Sequence, residues 1–229
     1  DLYASVDSLK ARCELVIIPT TCGTGSEVTN ISILNRTSLG TKMGLVSESM
    51  YAAQAVLIPE LLSRLPYPVF ATSALDALVH AVESALSGKA TPYTTLFSYK
   101  AIEMIVKGFM QMRAEGLDAR SGLLGDFLLA SNYAGLAFGT AGCAAVHALS
   151  YPLGGTFHVP HGEANYSIFI EVMKAYQKTG IEGRLKELLE MLGNLLSCAP
   201  EEAFDRLGDL LTAILPLNSV YLVQHILTL

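Results

Sequence analysis

An α/β piece followed by an all-helical domain is the fold class this sequence predicts, and three observations carry the expectation. Two apolar runs, ELVII at 14–18 and AVLI at 55–58, are rich in β-branched residues and stop at Pro19 and Pro59, the pattern of buried strands. Beyond Pro66 and Pro68 strand signals disappear and helical periods follow one another. The two prolines therefore divide the chain into residues 1–66, α/β, and residues 67–229, all-α.

Composition narrows the function. With 229 residues, 51% of them hydrophobic, the chain can bury a large core. A net charge of −6 without any basic run excludes nucleic acid and an anionic membrane surface as expected partners, and leaves a small molecule. Cys13, Cys22, Cys143 and Cys198 lie far apart with no CxxC pair, which predicts reduced thiols and a cytoplasmic setting. Mean hydropathy is +0.41. Even so, no run of about 18 apolar residues lacks a polar break, so no membrane span is expected.

Taken in order, residues 1–12 read as the end of an amphipathic helix, with an earlier portion of the protein missing before it. The strand at 14–18 leads into PTTCGTGSEVT at 19–29. Glycines separated by single hydroxylated residues form a loop whose backbone can approach a ligand closely and whose N–H and O–H donors suit phosphate or carboxylate oxygens. The same residues also suit a plain turn held by its own side-chain bonds. Runs at 30–34 and 42–46 predict a β-hairpin, with Lys42 where it returns. Helices are expected at 68–87, 92–115, 121–139, 142–153, 161–178, 182–193 and 200–214. Pro92 and Pro200 suit first turns, and Gly88 and Gly193 suit stops.

The chemistry gathers on two stretches. On the helix at 68–87, Asp76, His80, Glu83 and Ser87 fall on one stripe of an otherwise apolar rod. Asp76 and His80, one turn apart, can bind a cation together or simply satisfy each other in a core. The second stretch, GCAAVHALSYPLGGTFHVPHGEAN at 142–165, holds three of the five histidines. His147 sits on an apolar helix with Tyr151 a turn later, and His161 follows Pro160 at a helix start. Asp76, His80, His147 and His161 form a ligand set suited to Fe(II), Zn or another first-row divalent ion. No cysteine lies near enough in sequence to suggest a thiolate ligand. Ala144, Ala145, Ala148 and Leu149 are expected to wall the site off from water.

PTTCGTGSEVT, the DALVHAVES helix, and VHALSYPLGG followed by HVPHGEAN resemble the iron-containing alcohol dehydrogenase family, of dehydroquinate synthase-like fold, from about Val16 to about Lys178. The resemblance implies that residues 1–66 are part of a nucleotide-binding domain and 67–229 a metal-binding catalytic domain. It implies Asp76, His80, His147 and His161 as metal ligands. Thr20, Thr21, Thr24 and Ser26 would line the nicotinamide and phosphates of NAD, with Lys42 near its ribose and phosphates. The implied reaction is reversible hydride transfer between NAD(H) and a primary alcohol or aldehyde, with 4-hydroxybutyrate and succinate semialdehyde as the narrower expectation, in a homo-oligomer when full length. Tyr151 stands where many family members carry a second histidine. Proton transfer then falls to Tyr151 or to His158, either of which could equally serve packing. The family's N-terminal half and closing helices have no counterpart here, 217–229 included, so a truncated, non-catalytic metal-binding helical module is the rival expectation. A helical phosphohydrolase is disfavoured, because the chain has no His-Asp dipeptide.

Overall fold

The computed structural model describes residues 2–36, 38 and 41–216; the tail 217–229 and most of the hairpin tip lie outside the described residues. The N-terminal part is built from two small sheets. Strand β1 (Val16–Ile17) pairs in parallel with β4 (Gln54–Ala55). Strands β2 (Ile31–Arg36) and β3 (Thr41–Val46) form the antiparallel hairpin, Ile31 opposite Val46 and Asn35 opposite Lys42.

Two expectations fail here. Leu2–Ser8 is a 3-10 helix interrupted at Ser5 rather than the end of an α-helix. The apolar runs also make two-residue strands, and they are not buried: Leu15 is 43% exposed and Val16 49%. A parallel pair of strands covers neither of its own faces, and such pairs are normally buried by helices on both.

From Tyr67 the chain is helical: α1 (Tyr67–Leu86), α2 (Pro92–Glu115), α3 (Leu124–Ala141), α4 (Ala145–Thr156), α5 (His161–Thr179), α6 (Gly183–Leu196) and α7 (Ala203–Ile214). The start of α2 shows how locally the sequence dictates these ends. Thr91 and Thr94 cap each other's backbone N–H groups in a capping box, and Pro92 takes the first-turn position where its missing N–H costs nothing. Gly193 does not stop α6. It is buried within it, and a Cβ there would lie 2.9 Å from the Cys198 carbonyl oxygen, so glycine serves close packing. The stop falls at Ser197, in the left-handed region at φ 55.

Helix α1 is the axis of the core and packs against α2, α3 and α5. Phe70 and Phe127 meet edge-on at 5.0 Å between ring centroids, and Phe109 joins them. Gly108 makes room for that cluster, since a Cβ at this position would come within 2.6 Å of the Phe127 ring. By length and apolarity α1 could cross a bilayer, but 78% of its most apolar 18-residue window is buried inside this fold. Tyr67 and Tyr166 donate to the Ile214 and Leu215 carbonyls at 2.6 and 2.9 Å, tying the end of α7 to α1 and α5.

Candidate metal centre

Three helices bring the site together. Helix α1 contributes Asp76, His80 and Glu83, all buried; α4 contributes His147; α5 contributes His161 and, one turn on, Asn165. Asp76, His80, His147 and His161 each offer a ligand atom, and these atoms lie within 4.8 Å of one another. The Asp76 carboxylate is central. Its Oδ1 is 3.8 Å from His147 Nε2 and 3.7 Å from His161 Nε2, and its Oδ2 is 3.8 Å from His80 Nδ1. Separations near 3.8 Å are too long for hydrogen bonds and suit groups that share a small cation.

The electrostatics act on the imidazoles in opposite directions. Burial is the largest influence on His80 and outweighs the attraction of Asp76, pulling its pKa down to about 4, so the ring is neutral at physiological pH. The backbone of Gly23 hydrogen-bonds this ring, while His80 Nδ1 is buried with no hydrogen-bond partner. A ring nitrogen left so is costly unless something else meets it, and a cation is the obvious candidate. The rings of Phe138 and His147 stack on the His80 ring at 4.1 and 4.4 Å between centroids.

Glu83 fixes His147. Its carboxylate accepts from His147 Nδ1 at 2.6 Å, which places a proton there and points Nε2 toward Asp76. The same carboxylate accepts from the backbone N–H of Val146 at 2.6 Å. Ala144 cannot cap α4, so Glu83 reaches across from α1 to cap it instead. Burial alone would raise the Glu83 pKa, but the His147 and backbone hydrogen bonds hold it below the usual carboxylate range. Burial likewise lowers the His147 pKa, yet its hydrogen bonds with Cys143 and with the accepting Glu83 carboxylate prevail and push it up to about 10, so an ion at the cluster has to displace the second ring proton.

Sequence reasoning missed three of these neighbours. Sequence separation argues against Cys143, yet its Sγ lies within 4.8 Å of His147 and Glu83 groups. Cys143 is exposed as a residue while burial of its thiol raises the pKa, so the sulfur is the sheltered part. Glu83 was placed on the stripe without a role, since its partners lie more than 60 positions away. Asn165 carried one usable signal, its position one turn after His161 on the same helix face.

Of the expected apolar wall, Ala144 and Ala145 are half-buried and the other two residues are not. Leu149 is 58% exposed and Ala148 is exposed. Phe138 of α3 covers the site instead. Tyr151 is half-buried, its ring 6.5 Å from that of His161, and burial raises its pKa so that it carries its proton at neutral pH. His158 is exposed, at φ 57, and is not among the groups that converge.

The hydroxyl loop adjoins this cluster through Gly23. A Cβ on Gly23 would lie 2.9 Å from the Ser73 carbonyl of α1, and one on Gly25, at φ 55, would lie 2.5 Å from Gly135 of α3. The glycines thus let the loop lie against both helices. Thr20, Thr24 and Ser26 are exposed and Thr21 is half-buried; Thr24 donates to Ser26 at 3.2 Å. Behind them Glu27 is buried and accepts from Asn132 of α3 at 3.0 Å. The backbone of Lys42 lies in β3, but its side chain is outside what the structure describes. A cavity of about 770 Å³ between α2 and α6, lined among others by Tyr99, Lys100 and Arg184, shares no residue with the cluster.

A mixed α/β chain with a carboxylate and three imidazoles converging in its helical part presents a ligand set that could hold a divalent ion. Residues 70–219 match the Fe-containing alcohol dehydrogenase family, C-terminal region, and residues 2–59 match iron-containing alcohol dehydrogenase. The chain belongs to the iron-containing alcohol dehydrogenase family. It is 50% identical to 4-hydroxybutyrate dehydrogenase of Clostridium kluyveri, over 94% of this chain and 58% of that protein. Among solved structures it resembles an iron-containing alcohol dehydrogenase of Thermotoga maritima, at 29% identity and a TM-score of 0.75, covering 91% of this chain and 54% of that one. It also resembles sulfoacetaldehyde reductase from Bifidobacterium kashiwanohense in complex with NAD+, at 25% identity and a TM-score of 0.77, over 94% and 56%. The chain therefore spans little more than half the length of these proteins.

Proposed function

We propose that the protein is a metal-dependent oxidoreductase transferring a hydride between NAD(H) and a primary alcohol or aldehyde, with 4-hydroxybutyrate and succinate semialdehyde as its substrate pair. The observation that carries the reading is the convergence of Asp76, His80, His147 and His161 within 4.8 Å, in a chain 50% identical to a 4-hydroxybutyrate dehydrogenase. The donor set fits Fe(II) first and Zn second, since mixed imidazole and carboxylate ligands accept both. The buried Nδ1 of His80 without a partner favours a bound ion over a merely structural cluster.

When bound, the ion polarises the substrate oxygen as a Lewis acid and the nicotinamide carries the hydride. The chain's own residues do the rest. Asp76, His80, His147 and His161 hold and orient the ion, and Glu83 keeps His147 in the tautomer that offers Nε2. Thr20, Thr21, Thr24, Ser26 and the loop amides bind the nicotinamide and phosphates of NAD, and Lys42 binds near its ribose and phosphates. Phe138 limits water on the α3 side. The Tyr151 hydroxyl, beside His161 and protonated at neutral pH, passes the substrate's proton outward; it is better placed for this than exposed His158. Residues 1–66 belong in this reading to the nucleotide-binding part and 67–229 to the catalytic part, in a homo-oligomer.

The test is NAD-linked oxidation of 4-hydroxybutyrate against plain butanol by the Fe(II)-loaded protein. A kcat/KM at least about tenfold higher for the hydroxy acid, equivalent to one extra interaction of about 1.4 kcal/mol, is expected. Preference for butanol would remove the narrow substrate and leave the family reaction.

A further inference from the structure

Two of the clustered imidazoles are held from behind by different parts of the chain. His147 Nδ1 donates to the Glu83 carboxylate of α1. His80 meets the backbone of Gly23, in the hydroxyl loop, and that contact favours the protonated ring, as an accepting carbonyl does and an N–H would not. Because His80 Nδ1 has no hydrogen-bond partner, the donor to Gly23 is Nε2. Nδ1, 3.8 Å from Asp76 Oδ2, is then the nitrogen that faces the cluster. A metal-ligating histidine ordinarily donates its other ring N–H to such a partner.

The loop is shaped to make this contact. Cys22, Gly23, Gly25 and Glu27 are buried, whereas Thr20, Thr24 and Ser26 are exposed, so the loop has an inner and an outer face. Its inner face rests on the two helices that flank His80. Gly23 lies on Ser73, two turns before His80 on the same face of α1. Gly25 lies on Gly135, one turn before Phe138, whose ring stacks on His80. A Cβ at Gly23 would stand 2.9 Å from the Ser73 carbonyl oxygen, a backbone atom that cannot swing aside as a side chain would. The stretch 20–26 therefore carries both the outward hydroxyls and the carbonyl that holds a cluster histidine.

We propose that the Gly23 carbonyl is the outer partner of His80 in the metal site, and that a divalent cation held by His80 tightens the hydroxyl loop through it. The inference rests on the reading of Asp76, His80, His147 and His161 as a metal site. A cation on Nδ1 draws electron density from the ring and makes the Nε2–H a stronger donor, since linked polar groups polarise one another. The carbonyl is steadied, and with it the hydroxyls of Thr20, Thr24 and Ser26 that face the cofactor. Gly23 is a positioning residue: it acts through His80 on one side and through the loop on the other.

Hydrogen exchange read by mass spectrometry, with and without saturating Zn²⁺, tests the link alongside calorimetric titration with Zn²⁺. The ion should slow exchange of the 20–26 amides about 3- to 10-fold, the effect of strengthening one hydrogen bond, and leave residues 117–122 unchanged. Gly23→Ala should weaken Zn²⁺ binding about 10- to 100-fold, the usual effect of losing a group behind a ligand. His80→Ala separates the link from occupancy of the site. With Zn²⁺ saturating Asp76, His147 and His161 in this variant, the loop should exchange as fast as without the ion. A merely structural Gly23 would leave the Zn²⁺-dependent difference intact. Zn²⁺ binding by the wild-type protein with unchanged loop exchange, or with equal slowing at 117–122, overturns the link and leaves the metal-site reading standing. So does a loop still slowed by Zn²⁺ in His80→Ala, or full affinity in Gly23→Ala. Absence of Zn²⁺ binding by the wild-type protein overturns the metal-site reading itself and takes the link with it.

Discussion

The two ends of the molecule answer differently to the same physics. In the helical part Phe70, Phe109 and Phe127 are almost fully buried, and the Glu83 carboxylate and the Asn165 amide nitrogen are enclosed with partners from other helices. In the N-terminal part the apolar strands lie half open, and the hydroxyl loop faces outward from the helices on which it rests. The contrast teaches that the stability of this chain and the chemistry of its cluster come from the same enclosed helices. The loop contributes access and donors rather than support.

Breaking the cluster should have the largest effect. Asp76→Ala removes the carboxylate nearest to all three imidazoles, and Zn²⁺ affinity measured by calorimetry should fall by more than about 100-fold, beyond what a supporting group costs. Next comes the core that holds it. Phe109→Ala should lower unfolding free energy by about 3–5 kcal/mol in urea denaturation, the cost of emptying an aromatic site. Its counterpart in the open region, Val16→Ala, should cost about 1 kcal/mol or less. Equal losses would erase the distinction between the two parts.

Smaller changes sharpen it. Glu83→Gln can still accept the Val146 N–H, but its amide no longer fixes the His147 proton, so Zn²⁺ affinity should drop about tenfold with little change in melting temperature. The smallest effect is chemical. Burial pushes the Cys22 thiol up to about 12, whereas Cys13 is exposed. At pH 8 a thiol reagent should label Cys13 in the native protein and spare Cys22. Because the folded pKa of Cys22 lies above its unfolded value, its contribution to stability is complete below the unfolded pKa, near 9, and is lost as pH rises toward 12.

Much of this was legible in the sequence, and the exceptions have physical causes. Helices α1, α2 and α5 follow from apolar period plus Pro92 and Pro160, because their caps are local. The stop of α6 was misplaced at Gly193 since a buried glycine needed for close packing looks like a helix terminator, while Ser197 adopts the left-handed conformation without a glycine's signature. The convergence of Asp76 with three histidines was suggested by stripe and spacing. The partners that orient them are not: Glu83 meets the Val146 N–H 63 positions away, and Asn165 shows its place only through the Asp76 carboxylate that its amide nitrogen donates to. The wall against water is hard to read from sequence because the buried face of α4 carries His147 and Ser150 while its exposed face carries Ala148 and Leu149.

The central claim is that the four side chains form one metal site. Anomalous diffraction at the zinc edge, from crystals grown with one equivalent of Zn²⁺ and no competing chelator, tests it most directly. The account predicts a single strong peak with ligand atoms of Asp76, His80, His147 and His161 about 2.0–2.2 Å away. A peak instead between Glu83, Cys143 and His147, or none at the cluster when the ion is saturating, would contradict it.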